Sequence, residues 1–98
     1  MTSTLTPPVV TVIVCGEIDV ATKEPLRDAL TAALTRGTNL EADLSAVTFM
    51  DASGIGVLIA AQLDAAASGG SLTLRNPSRA VRLLTGILGL DEVLPAVE

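Results

Sequence analysis

Residues Val9 to Cys15 read VVTVIVC, a nearly continuous β-branched run. Its length and composition fit a buried strand better than a helix. Gly16 is expected to end it, with Glu17-Ile18-Asp19 as an exposed acidic turn. Thr22 then caps a helix that tolerates Pro25 in its first turn. Leu26, Leu30, Ala33 and Leu34 recur at helical spacing, and Gly37 stops the pattern. Leu40 to Leu44 alternates like a strand, and a turn through Ser45 and Ala46 leads to Val47 and Phe49. From Gly54 to about Ala67 the chain favours a helix, with Ile55, Leu58, Ile59 and Leu63 as its stripe. Ser68-Gly69-Gly70 breaks that helix. Leu72 and Leu74 mark another strand. Asn76-Pro77-Ser78 opens a third helix, with Ser78 as cap, Val81, Leu84 and Leu88 on one face, and Gly89 as stop. Glu92 to Leu94 reads as a last short strand.

Strands alternating with helices in this way define an α/β fold. The expectation is one mixed, mostly parallel β-sheet of about four strands with helices packed on one face. A chain of 98 residues, 49% of them hydrophobic, holds one compact domain. There is no internal repeat and no linker. Residues 1–8 are expected to be a flexible N-terminal arm and residues 9–98 the domain.

The residue types exclude several functions. There is no His, so Ser-His-Asp and Cys-His arrangements lack their base. One Cys without His cannot build a structural zinc site or an intramolecular disulfide. Gly54-x-Gly56 is followed by Ile59 where a dinucleotide fingerprint needs its third glycine, and no GxxxxGK[ST] loop occurs. The acidic residues are scattered, with no evident acid–base pair. No cofactor and no metal is expected, and no enzyme. Eleven acidic residues against six basic ones, and Phe49 as the single aromatic, argue against direct nucleic-acid binding. Arg75, Arg79 and Arg82 read as decoration of one helix and its entry. MTSTLTPP lacks the features of a signal peptide, and no apolar stretch reaches the roughly 20 residues that cross a bilayer. The reading is a cytoplasmic protein without membrane insertion. Cys15, at the end of a buried strand, is expected to be a buried, inert thiol.

Attention falls on FMDASGIGVL, residues 49–58. Ser53 sits where an extended segment turns into a helix. As a cap it satisfies orphan backbone N–H groups, worth about 1 kcal/mol. The same place suits a phosphoserine, because a helix N-terminus favours anions. Ala52, Gly54 and Gly56 leave Ser53 unshielded. Val57, Ala60 and Ala61 fall away from the main stripe, either packing on a neighbouring helix or forming an exposed docking face.

Cys15-Gly16-Glu17-Ile18-Asp19 resembles the G-E-[LI]-D turn of STAS domains. Glu41 to Leu58 resembles their central D-L-S-x-V-x-F-[IM]-D-[SA]-[ST]-G stretch. Asn76-Pro77-Ser78, Val81 to Leu84 and Gly89 to Leu94 match the C-terminal part. Within that family the chain is similar to bacterial anti-sigma-factor antagonists. The resemblance implies a regulator that, unphosphorylated, binds an anti-sigma factor that is also an ATP-binding serine kinase, and so frees a sigma factor. Phosphorylation of the residue matching Ser53 switches it off, and a PP2C-type phosphatase resets it. The expected partner-binding residues are Glu17, Asp19, Asp51, Ala52, Ser53, Gly54, Gly56, Val57 and Ala60, in a monomer or weak dimer. Ala52 stands where the family often has a second serine. Few residues precede Val9 or follow Leu94, so the family's first strand and final helix are expected to be shortened or missing. STAS domains also serve as stand-alone adaptor subunits of ABC-type lipid-transport complexes, which is the alternative.

Overall fold

The computed structural model describes residues 8–97. The expected arm therefore lies outside the described residues, apart from Pro8. The order is β1 (Val9–Ile18), α1 (Lys23–Leu34), β2 (Asn39–Met50), α2 (Ala52–Ala67), β3 (Ser71–Arg75), α3 (Arg79–Leu88) and β4 (Ala96–Val97). The sheet order is β1-β2-β3-β4, and each neighbouring pair is parallel. Among the described residues the sheet is thus wholly parallel. Right-handed crossovers that step the same way each time put all three helices on one face.

Burial follows that geometry. Val14, Leu40, Ala42, Leu44, Leu72 and Leu74 point to the helices and are buried. Leu40 pairs with Leu72 and Ala42 with Leu74, so the inward residues stand side by side. The opposite face carries Ile13, 77% exposed, with Glu41, Asp43 and Arg75. There Arg75 lies 3.7 Å from Glu41. The first strand is therefore buried on one face only. Cys15 falls on the open face and is exposed, which corrects the expected buried thiol.

Two further expectations are corrected by one device. Gly16 does not end β1; it takes φ +81° and the strand continues to Ile18. Nor does β2 turn at Ser45 and Ala46. Ile13 pairs with Asp43 but Cys15 with Ala46; Gly16 pairs with Val47 but Glu17 with Phe49. Twice, β2 carries one residue more than β1, which is a β-bulge. Each bulge breaks the in–out alternation, exposing Ser45 with Ala46 and Thr48 with Phe49. Asp43 holds the first bulge, accepting the Ser45 N–H at 3.1 Å and the Ser45 hydroxyl at 2.8 Å.

The helices follow their signals more closely. Leu26, Leu30 and Ala33 of α1 are buried. Ser78 caps α3 by accepting the Val81 N–H, and Gly89 ends it in the left-handed region at φ 68°. Asp91 to Leu94 form a turn in place of the expected strand, with the Leu94 N–H bonded to the Leu90 carbonyl at 2.9 Å. Pairing resumes past Pro95, whose carbonyl accepts the Leu74 N–H at 2.9 Å.

Candidate functional site

In open α/β sheets, sites gather at the carboxyl ends of the strands. Here β1 and β2 end together, because Ile18 pairs with Met50. The Asp51 N–H then donates to the Ile18 carbonyl at 3.2 Å, which joins the two exits. Each strand leads through a tight turn into a helix.

After β1, Asp19 and Thr22 lock the turn. The Asp19 carboxylate accepts the N–H groups of Ala21 at 2.9 Å and Thr22 at 3.0 Å. The Asp19 N–H donates to the Thr22 hydroxyl oxygen at 2.9 Å, and that hydroxyl donates to the Glu17 carbonyl at 2.7 Å. Thr22 stands at the N-cap of α1 but makes no side-chain cap bond to it. Its hydroxyl is spent on Glu17, so it holds the acidic turn in shape instead. An Asx-type arrangement of this kind is a common use of Asp and Thr in turns.

After β2, the N-cap of α2 is Asp51 and not Ser53. Asp51 Oδ1 accepts the Ser53 N–H at 2.9 Å and the Ser53 hydroxyl at 2.5 Å. The Asp51 carbonyl accepts from Gly54 and Ile55 at 3.1 and 3.3 Å. Ser53 is therefore the second helical residue, half-buried, with its hydroxyl turned back to the cap. The Ser53 hydroxyl is the main reason the Asp51 carboxyl sits below its ordinary range. The backbone N–H groups of Ser53 and Gly54 and the charge of Lys23 act in the same direction, against some desolvation. Asp51 is thus ionised at neutral pH.

Not every expected partner residue is on the surface. Glu17, Ala52, Gly56 and Ala60 are exposed, and Asp19, Asp51 and Ser53 are half-buried. Gly54 is buried. A Cβ there would lie 2.8 Å from Ile18 Cγ2 and 2.9 Å from Met50 Cγ. Its small size lets α2 sit close on its own strands and offers a partner nothing. Val57 is also buried, 4% exposed, with Ala61 on the side of α2 that faces Leu30 and Leu34 of α1. Of the two readings of Val57, Ala60 and Ala61, packing holds for Val57 and Ala61, and exposure for Ala60. The expected stripe is corrected at Leu63, which is 63% exposed.

The surface left at this edge is Ala52, Ser53, Gly56 and Ala60 along one side of α2, flanked by the Glu17–Asp19 turn. These helix positions, three and four apart, share a face. Two contributors were missed in the sequence. Thr22 was legible as D-x-x-T, a spacing that closes a turn. Lys23 carried no signal, since its relation to Asp51 exists only once α1 and α2 start at the same edge. Among the described residues no group of three or more His, Cys, Asp or Glu could hold a metal ion, and no helix is long and apolar enough to cross a membrane.

Known proteins match over nearly the whole chain. The family model described as Mlab, STAS domain, matches residues 1–95. The anti-sigma-B factor antagonist of Bacillus subtilis (strain 168) is 35% identical over 81 residues, which are 83% of this chain and 74% of that protein. An anti-sigma factor antagonist from Mycobacterium paratuberculosis superposes with a TM-score of 0.79 at 31% identity, over 90% of this chain and 75% of that one. The anti-sigma factor antagonist SpoIIAA in its unphosphorylated form gives 0.76 at 27% identity, over 96% and 84%. The Bacillus cell fate determinant SpoIIAA in its phosphorylated form gives 0.70 at 25% identity, over 96% and 86%. The chain belongs to the STAS-domain family and, within it, to the anti-sigma factor antagonists.

Proposed function

We propose that this chain acts in the cytoplasm as a phosphorylation-switched antagonist of an anti-sigma factor that is also a serine kinase. Unphosphorylated, it binds that partner through Ala52, Ser53, Gly56 and Ala60 and the Glu17–Asp19 turn, and a sigma factor is released. Transfer of a phosphate to Ser53 ends the binding, and a PP2C-type phosphatase restores it. The observation that carries this reading is the Ser53 hydroxyl, set on the first turn of α2 and hydrogen-bonded to an ionised Asp51.

In the transfer, Ser53 Oγ attacks the γ-phosphorus of the partner's ATP. The Oγ–P bond forms, the bond from that phosphorus to the bridging oxygen breaks, and ADP leaves. The hydroxyl proton passes to a base on the kinase. ATP and its Mg²⁺ belong to the partner, so this chain is substrate and regulator.

The energetics support a switch without a change of fold. Phosphorylation replaces a hydrogen-bond donor by a group of about −1.5 to −2 charges beside the Asp51 carboxylate. The helix N-terminus tolerates it. A partner that had packed on the small uncharged residues of α2 would have to desolvate a dianion among carboxylates. Moving an equilibrium from 1:99 to 99:1 takes about 5.5 kcal/mol of differential affinity, which a penalty of this kind can supply.

A second reading keeps its place because capping accounts for Asp51 and Ser53 without any modification. In it the chain is a standing adaptor of an ABC-type lipid-transport complex. Pull-down from native cell extract with the wild-type chain and Ser53→Asp, followed by mass spectrometry, separates the two. Recovery of an ATP-binding anti-sigma factor by wild type and its loss with Ser53→Asp is the result expected. Equal recovery of a transporter ATPase or permease by both forms supports the adaptor.

A further inference from the structure

The edge that carries Ser53 has an unbalanced charge. Glu17 and Asp19 stand at the end of β1, Asp51 at the junction of β2 and α2, and Glu24 in the first turn of α1. The first turn of α2 brings no acidic group of its own. Two cations lie on the same segments. Arg27 is 3.7 Å from Glu24 and so has a partner. Lys23 is half-buried and, among the described residues, forms no ion pair within 4.0 Å.

The backbone fixes where Lys23 stands. The Ile18 carbonyl is bonded to the Asp51 N–H, and the Asp19–Thr22 turn closes directly ahead of Lys23, with the Thr22 N–H on the Asp19 carbonyl at 3.1 Å. Lys23 is the first residue of α1, so it starts its helix at the edge where α2 starts. Its charge is the smallest of the influences that lower the Asp51 carboxyl, behind the bonds from Ser53 and Gly54.

We propose that Lys23 is the cation that receives a phosphate carried by Ser53, a role that rests on the phosphorylation reading above. Esterification removes the hydroxyl proton that Asp51 accepts and leaves two anions facing one another. An ammonium has three donors on a flexible four-carbon stem and suits a phosphate as a point charge. The Lys23 ammonium turns to the phosphate, and the phosphorylated chain keeps its fold. Glu17, Asp19 and Asp51 act against the dianion, and Lys23 offsets them.

The test uses the full chain with phosphoserine installed at position 53 during translation, so no kinase is needed. The second ionisation of the phosphate, near pH 6 by ordinary chemistry, is followed by phosphorus NMR. Lys23→Met is expected to raise its midpoint by about half a pH unit, the size of a single partly exposed ion pair. Lys23→Arg and Arg27→Met are expected to leave it in place. An unchanged midpoint in Lys23→Met overturns the proposal, and so does an equal rise in Arg27→Met. Failure of kinase-dependent release would leave this titration unaffected, so the two ideas fail separately.

Discussion

Ser53 and Asp51 form a closed pair at the start of α2, with one carboxylate oxygen taking both the backbone N–H and the hydroxyl of the same serine. The carboxylate caps the helix, and the hydroxyl is oriented by the cap. Stability and the modifiable group are therefore linked through two residues. Asp51→Ala is expected to lower the urea midpoint with an unchanged m-value, because the cap is lost. Asp51→Asn keeps an acceptor and is expected to lower it less. Equal midpoints for all three chains would show that Asp51 caps nothing of consequence.

The pair also sets an acid limit. The Asp51 carboxyl is held below its ordinary value of 3.8, first by the Ser53 hydroxyl. The Asp43 carboxyl is held low too, first by the Ser45 backbone N–H and then by its hydroxyl. A carboxyl with a depressed folded-state value stabilises the fold fully above its unfolded value, and loses that contribution as pH falls through the folded one. Urea midpoints of wild type are expected to fall as pH drops below about 3.8. Asp51→Asn and Asp43→Asn should each flatten that fall. An equally steep fall in both variants would contradict the assignment.

Gly54 and Gly56 separate packing from recognition. A Cβ at Gly54 meets the stiff Ile18 side chain as well as Met50, so Gly54→Ala is expected to destabilise by about 1–3 kcal/mol through overpacking. Alanine's better helix propensity offsets only part of that. A Cβ at Gly56 meets nothing within 4 Å. Gly56→Ala is expected to stabilise by up to about 1 kcal/mol, while weakening capture of the partner in the same pull-down. Equal stability changes at the two glycines, read by urea unfolding, would undo the distinction.

Much of this was legible in the residues. The strand–helix alternation, the Ser78 cap, the Gly89 stop and the passage from strand to helix around Ser53 could all be read. The differences have specific causes. The VVTVIVC run is apolar on both sides, and nothing local says that only Val10, Val12 and Val14 face the helices. Two bulges in β2 turn a period of two into pairs of exposed residues, which imitates a turn at Ser45–Ala46. Asp51 and Ser53 are both good capping types, and only the backbone path decides which one closes the helix. Helix α2 lies against both the sheet and α1, so Val57 and Ala61 are buried along with Ile55 and Leu58. A single stripe drawn through Leu63 could not show that.

Cys15 provides a simple check on the open sheet face. Its thiol is exposed, so it is expected to react with a disulfide reagent such as DTNB in the native protein at a rate close to that in urea. Protection by several orders of magnitude, released only on unfolding, would mean that this face is covered.

The central claim is that phosphate on Ser53 ends binding to an anti-sigma factor. The most direct measurement is calorimetric titration of the anti-sigma factor recovered by the unmodified chain, first with that chain and then with the chain carrying phosphoserine at position 53. The account predicts tight binding of the unmodified chain and an affinity lower by roughly 10⁴-fold, the factor a near-complete switch requires, for the phosphorylated one. Equal affinities would contradict it, and would return Ser53 to the role of a hydroxyl that completes a helix cap.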